Sequence, residues 1–221
     1  MLLFDPRKVP VLGVDADLPP VTAESLRPER LRDRFLAPPS WEPEVRQEPR
    51  FNERVPRPAA VLLPVVLRRQ PTVLLTERSA MLNSHSGQIA FPGGKVDETD
   101  ADAVAAALRE AEEEVGLNPV YVEVLGSLPV YSTGSAYHVT PVVGLVHEGF
   151  ELRPNPHEVA DVFEVPLAFL MDPSHHRRHL YDADGVRREW FSMPYPDPVR
   201  ERFIWGATAG MLRNFYRFLS A

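Results

Sequence analysis

The chain has 221 residues, 44% of them apolar and 25% charged, proportions of a folded protein long enough to bury a core. With 31 acidic against 24 basic residues the formal net charge is −7, which argues against a broad footprint on nucleic acid and leaves a local basic pocket as the way to hold a small anion. The sequence contains no cysteine, which excludes disulfides, thiolate metal sites and thiol nucleophiles.

No apolar run reaches membrane-spanning length. The start, MLLFDPRKVP, has an aspartate and a proline where a signal peptide would continue its apolar core, so the expectation is a cytoplasmic protein without a membrane contact. Residues 1–57 are punctuated by proline, in LPP, APPSWEPE and RVPRP, and read as an arm rather than a second domain. A short helix is expected near Pro28 to Leu36, presenting Leu31 and Phe35 together. Leu12, Phe35 and Trp41 read as anchors, holding the arm over the main domain, residues 58–221, or across a homodimer.

From Pro58 the pattern turns to strands. AAVLLPVVL and TVLLTERS, separated by RRQP, predict a hairpin, and a loop holding FPGGK follows. Thr99 or Asp100 is placed to cap a helix that runs to about Val115, where Gly116 closes it in the left-handed conformation. Strands are expected at YVEVLGSL, YHVTPVVGLVH and VFEVPL, and LYDADGVRREWF predicts a last hairpin with Asp-Gly at its tip. The cluster SHHRRH, with His175, His176 and His179, lacks cysteine and sits among arginines that repel a cation, so it reads as a solvated loop rather than a zinc site. In RFIWGATAGMLRNFYRFL, Phe203, Ala207, Met211, Phe215 and Phe218 recur at helical spacing as a core stripe. Strands and helices interspersed in this order predict a mixed α and β fold.

The helix ending in REAEEEVGL, Arg109 to Leu117, carries its charge at the unfavourable end. Carboxylates near a helix C-terminus cost about 0.3 to 1 kcal/mol each. At about 100° per residue Glu110, Glu113 and Glu114 share one face, with Glu112 pointing away and Val104, Ala107, Leu108, Ala111 and Val115 forming an apolar stripe beside it. Arg109, four residues before Glu113, is placed to hold that carboxylate, leaving Glu110 and Glu114 with no partner in the segment. A solvated acidic face is the bland alternative, but such faces alternate sign and keep acids toward the N-terminus. A hard divalent cation, Mg²⁺ or Mn²⁺, supplies the missing charge.

These residues resemble the Nudix box, the loop and helix of Nudix hydrolases, which cleave nucleoside diphosphates linked to another group. Arg109, Glu110, Ala111, Glu113, Glu114, Gly116 and Leu117 match its second half. The first half is one residue longer than the common box, with Asp97, Asp100 and Asp102 in the gap. That form, with the upstream stretch LLTERSAMLNSHSGQIAFPGG from Leu74 to Gly94, is similar to the coenzyme A pyrophosphatase branch. Asn83 departs from it, standing where arginine is usual. The resemblance implies an α/β (α+β) Nudix fold, a mixed β-sheet sandwiched between α-helices. It implies a Mg²⁺- or Mn²⁺-dependent pyrophosphatase of a small nucleotide, coenzyme A first, with another diphosphate derivative (NADH, ADP-ribose, a nucleotide sugar) or a non-catalytic ligand-binding module as alternatives. On the family's pattern the metal ligands are Glu110, Glu113, Glu114 and the Gly94 carbonyl. Arg109 clamps Glu113, and the general base is Glu110 or Glu158. Arg78, Asn83, His85 and Lys95 are the expected substrate contacts.

Overall fold

The computed structural model describes residues 5–50, 53–81, 87–183 and 186–221. The arm contributes β1 (Val11–Val14) and α1 (Pro28–Leu36). The two apolar runs become β2 (Arg57–Val66) and β3 (Thr72–Arg78), paired antiparallel as the hairpin pattern requires. β4 (Ile89–Ala90) pairs with β3, and β5 (Gly93–Lys95) pairs with the first half of β2, Ala60 opposite Gly94. Then come α2 (Ala103–Val115), β6 (Val122–Ser127), β7 (Tyr131–Ser132) and β8 (Tyr137–Val146). β8 runs parallel to β2 from Arg57 opposite Tyr137 to Val66 opposite Val146. β9 (Val159–Pro166) closes the far side of β3 and completes an eight-stranded mixed sheet.

Alternation along β2 divides the core. Ala60, Leu62 and Val66 face one way, into a cluster with Ala106, Ala107, Ala111 and Val115 of α2. Ala59, Leu63 and Val65 face the other way, toward Leu31 of α1 and the helix α4 (Gly206–Ser220). The sheet is therefore sandwiched between helices. After β9 and the short α3 (Leu167–Leu170), the strands β10 (Arg177–Ala183), β11 (Val186–Pro196) and β12 (Glu201–Trp205) join β1 in a second, four-stranded antiparallel sheet. Its Phe191, Met193 and Ile204 share the α4 core, so α4 is covered on almost every side, its polar Arg213 and Asn214 included.

The arm is bound to α4 at several points. Asn214 holds the backbone of Val45 by both ends of its amide, at 3.0 and 2.7 Å. Buried Arg213 reaches Asp15 at 2.8 Å and Glu44 at 2.7 Å. Tyr216 donates its hydroxyl to the Pro19 carbonyl, and Phe35 and Trp41 pack on Phe218.

Five expectations are corrected. The helix cap is Asp102, whose Oδ1 accepts the Ala105 N–H at 2.8 Å; it sits one residue before the first helical turn, where Thr99 and Asp100 are too far back. Phe203 belongs to β12, and the helix starts only after Gly206 turns the chain at φ +61°. Leu12 anchors nothing: it is 60% exposed on β1. His176 and His179 are buried rather than solvated. His179 lies between the Val9 carbonyl and Ser192, and His176 bonds the Leu170 carbonyl and Arg213. Finally, Glu110 has a partner inside its own segment, Arg109 at 3.0 Å, whereas Glu114 finds its partners only outside it. The last hairpin pairs as expected, Ala183 opposite Val186, with its Asp-Gly tip outside the described residues. Among the described residues no helix is long and apolar enough to cross a membrane.

Candidate active site

Apolar packing presses α2 against the sheet through Ala106, Ala107, Ala111 and Val115, which brings its last turn over β5. Gly116, at φ +72°, ends the helix by donating to the carbonyls of Ala111 and Glu112. The loop before β9 then takes over the remaining carbonyls: Arg153 donates to Val115 at 2.8 Å and Asn155 to Glu114 at 2.9 Å. The helix end that carries the acids is thereby tied to the segment that carries Glu158.

Glu114, on the border between acidic face and apolar stripe, is 3% exposed. Its Oε2 accepts the Gly93 N–H at 3.1 Å, and Oε1 lies 3.6 Å from Arg78 Nη1. Burial pushes its carboxyl up to about 7 against those two partners, with the charges of Glu110 and Glu158 adding to the rise. Glu110 lies flat on Gly94, where a Cβ would come within 2.4 Å of its carboxyl carbon. Only glycine leaves room there. Burial again raises its pKa, Arg109 opposes, and Glu113 and Glu158 contribute further.

Arg109 organises the acids. Its Nη1 bonds Glu110 at 3.0 Å and Glu113 at 3.1 Å, its Nη2 donates to the Lys95 carbonyl at 3.1 Å, and its Nε and Nη2 grip Asp100 at 2.9 Å each. That bidentate pair, backed by the Asp97 N–H, holds the Asp100 carboxyl down at about 2. Glu113 itself is the exposed member of the face.

Glu158 enters from the β3–β9 register, where Arg78 stands opposite Val159. Its carbonyl accepts the Ser79 N–H, and its Oε1 accepts from the Asn155 amide at 3.0 Å. Arg78 carries a buried Nε with no hydrogen-bond partner among the described residues, an unmet donor in the site. Lys95 is exposed. Asn83 and His85 lie outside the described residues. The structure thus brings Arg78, Gly94, Arg109, Glu110, Glu113, Glu114 and Glu158 together. It adds Asp100 and Asn155, which the sequence reading missed as site residues. Asp100 carried a signal, an acid nine residues before Arg109 left over once Asp102 serves as the cap. Asn155 carried none.

Carboxylates and a carbonyl are the hard-oxygen donors that Mg²⁺ and Mn²⁺ prefer, and two of the carboxyls are driven toward neutrality by burial and mutual repulsion. Among the described residues no three acidic or histidine side chains close into a cage. By donor type the residues present fit either ion.

The NUDIX domain family profile matches residues 56–193. NudL of Escherichia coli strain K12, an uncharacterized Nudix hydrolase, is 48% identical over 159 residues, spanning 72% of this chain and 80% of NudL. Its counterpart in Shigella flexneri serotype 5b is 46% identical over 173 residues, 78% and 85% of the two chains. Among solved structures, a Nudix hydrolase from M. smegmatis, RenU, aligns with TM-score 0.44 and 26% identity over 50% of this chain and 71% of that one. A C. elegans Ap4A hydrolase aligns with TM-score 0.43 and 20% identity over 53% and 85%. With the profile running from the start of β2 into β11 and nearly half the residues shared with NudL over most of both chains, this protein belongs to the Nudix hydrolase family.

Proposed function

We propose that this Nudix pyrophosphatase acts on coenzyme A or its derivatives, cleaving the diphosphate to 3′,5′-ADP and 4′-phosphopantetheine. The observation that carries the substrate is the stretch from Leu74 to Gly94 together with the longer, aspartate-bearing box, whose Asp100 is the strongest partner of Arg109. A divalent cation bound by Glu110, Glu113, Glu114 and the Gly94 carbonyl would neutralise charge on the phosphoryl oxygens and acidify the attacking water. The chain's own residues do the rest. Arg109 fixes Glu110 and Glu113 in one orientation. Arg78, part-exposed beside Glu114, offers its guanidinium to a phosphoryl oxygen. Glu158 keeps Oε1 on the Asn155 amide and takes the proton of water on its other oxygen as the new P–O bond forms and the bridging P–O bond breaks.

A second reading, hydrolysis of another nucleoside diphosphate derivative, is favoured by Asn83, an uncharged residue where this branch usually has arginine. A panel of coenzyme A, NADH, ADP-ribose and nucleoside triphosphates, assayed with Mg²⁺ and with Mn²⁺, separates the two. The highest kcat/KM on coenzyme A is the expected result, and a clear preference for NADH or ADP-ribose replaces it with the second reading.

A further inference from the structure

Two cations stand on one face of the eight-stranded sheet without an acid to hold them. Lys95 pairs with Ala59, and Arg57 with Tyr137. Directly paired residues share a face, as do residues two apart on a strand. Arg57, Ala59, Lys95 and Tyr137 therefore leave the sheet on the same side, the side on which Ala59 and Tyr137 meet the α4 core. Arg57 and Lys95 are diagonal neighbours, about 7–8 Å apart at the backbone, and both are exposed. Among the described residues neither side chain makes an ion pair or hydrogen bond. Arg32, Arg68, Arg109, Arg178 and Arg213, by contrast, each hold a carboxylate. Like charges set side by side on a sheet repel, and in a chain of net charge −7 acids were available to quench them.

Their position relative to the diphosphate site is fixed by register. Arg57 lies three residues, about 10 Å along the strand, from Ala60, whose partner is Gly94, and Gly94 is the residue on which the Glu110 carboxyl rests. Among the described residues β5 is three residues long and pairs with β2 alone; Glu114 takes the Gly93 N–H and Arg109 the Lys95 carbonyl, so a ligand at those two side chains passes β5 with Gly94 on one face of the strand and Lys95 and Arg57 on the other. The pair matches a dianion held one sugar away from the diphosphate. The pantetheine end of coenzyme A has no such charge.

We infer that Arg57 and Lys95 form a phosphate-monoester subsite that receives the 3′-phosphate on the adenosine half of coenzyme A. The inference rests on the coenzyme A reading of the site.

Binding and turnover test it separately. Calorimetry on the full chain compares adenosine 3′,5′-bisphosphate with 5′-AMP for the wild type, Arg57→Gln and Arg57→Gln/Lys95→Gln, with Arg69→Gln as an exposed-arginine control. Kinetics compare coenzyme A with 3′-dephospho-coenzyme A. The wild type should prefer the 3′-phosphorylated compound in each pair by about tenfold or more, the worth of one charge-assisted contact. In the double variant that ratio should collapse toward one, and in Arg69→Gln it should stand. A ratio unchanged in the double variant overturns the subsite, and leaves coenzyme A as substrate if the wild type hydrolyses it. A wild type that does not hydrolyse coenzyme A, yet prefers the bisphosphate through Arg57 and Lys95, overturns the substrate and keeps the subsite.

Discussion

Asp100 grips Arg109 with both carboxylate oxygens, each 2.9 Å from a guanidinium nitrogen, and the same guanidinium holds Glu110 and Glu113. The aspartate is thus a positioning residue for two acids it does not touch. Asp100→Asn should lower kcat by about 10- to 100-fold, the usual effect of losing an outer-shell partner, with a much smaller change in KM. Asp100→Glu should recover part of it. Equal activity in wild type and Asp100→Asn would remove Arg109's orientation as a requirement.

Glu114 should make stability depend on both pH and metal. Its folded-state pKa of about 7 lies above the ordinary 4.5, so the folded protein keeps a proton that the unfolded chain releases. In the metal-free protein Glu114 should therefore withdraw about 3 kcal/mol of stability as pH rises from about 4.5 to about 7. Glu114→Gln should lack that part of the profile and, in chelator at neutral pH, melt no lower than the wild type. Millimolar Mg²⁺ should restore stability to the wild type and much less to the variant. Superimposable pH profiles in chelator would show that Glu114 does not hold this proton.

Gly94→Ala probes the seat of Glu110. The new methyl would fall 2.4 Å from the carboxyl carbon; the end of a side chain yields more easily than backbone, so the fold should persist while Glu110 shifts. A displacement of about 1 Å costs on the order of a hundredfold in rate. Circular dichroism should match the wild type and kcat/KM should fall by that order. Full activity would place Glu110 outside the reacting geometry.

His176 governs stability on the acid side. Burial, with Arg213 alongside, lowers its pKa from 6.5 to about 4, and its Nε2–H donates to Leu170 while Nδ1 accepts from Arg213. A proton on Nδ1 would point at a guanidinium. As pH falls from about 6.5 to about 4 the unfolded chain gains a proton that the folded protein refuses, and about 3 kcal/mol of stability is lost. Burial favours neutral Asp15 and Glu44 nearby, but hydrogen bonds from Arg178 and Arg213 hold both below their usual range; they add losses at lower pH in any variant that keeps them. Denaturant midpoints between pH 4 and 7, compared in a Glu114→Gln background that lacks the opposite contribution of Glu114, should show a shallower fall for His176→Gln. The same slope in both proteins would assign the acid sensitivity elsewhere.

What the sequence made legible was local and periodic. Gly116 after an apolar stripe, the paired runs of β2 and β3, and Leu31 beside Phe35 on α1 all depend on neighbours a few residues away, and all stand in the structure. The acidic face of α2 was readable for the same reason. Competition between near-identical side chains was not: two aspartates two residues apart both suit a cap, and only the backbone decides that Asp102 takes Ala105 and frees Asp100 for Arg109. Phe203 continued the helical spacing by coincidence, because a four-residue interval cannot reveal that Gly206 turns the chain. His176 and His179 read as solvated because their partners, Arg213 and the Val9 carbonyl, lie far off in sequence.

The clasp between Asn214 and Val45 bears on the order in which this protein can assemble. The residues that grip the arm, Arg213, Asn214, Tyr216 and Phe218, are separated from their partners by most of the chain, so loop closure must come before any of these contacts repays it. On the ribosome the arm is made before all of these residues; β6 offers α1 part of a seat, through Arg32 on Glu123 and Phe35 on Gly126, and the rest is missing until α4 has emerged. Until then Phe35 and Trp41 lack Phe218, and the apolar side of β2 that will meet α4 is incompletely covered. Completion of α4 is therefore the event that converts a sheet with one covered face into the finished molecule, and a nascent chain arrested before residue 206 should be the form most prone to aggregate or to recruit a chaperone.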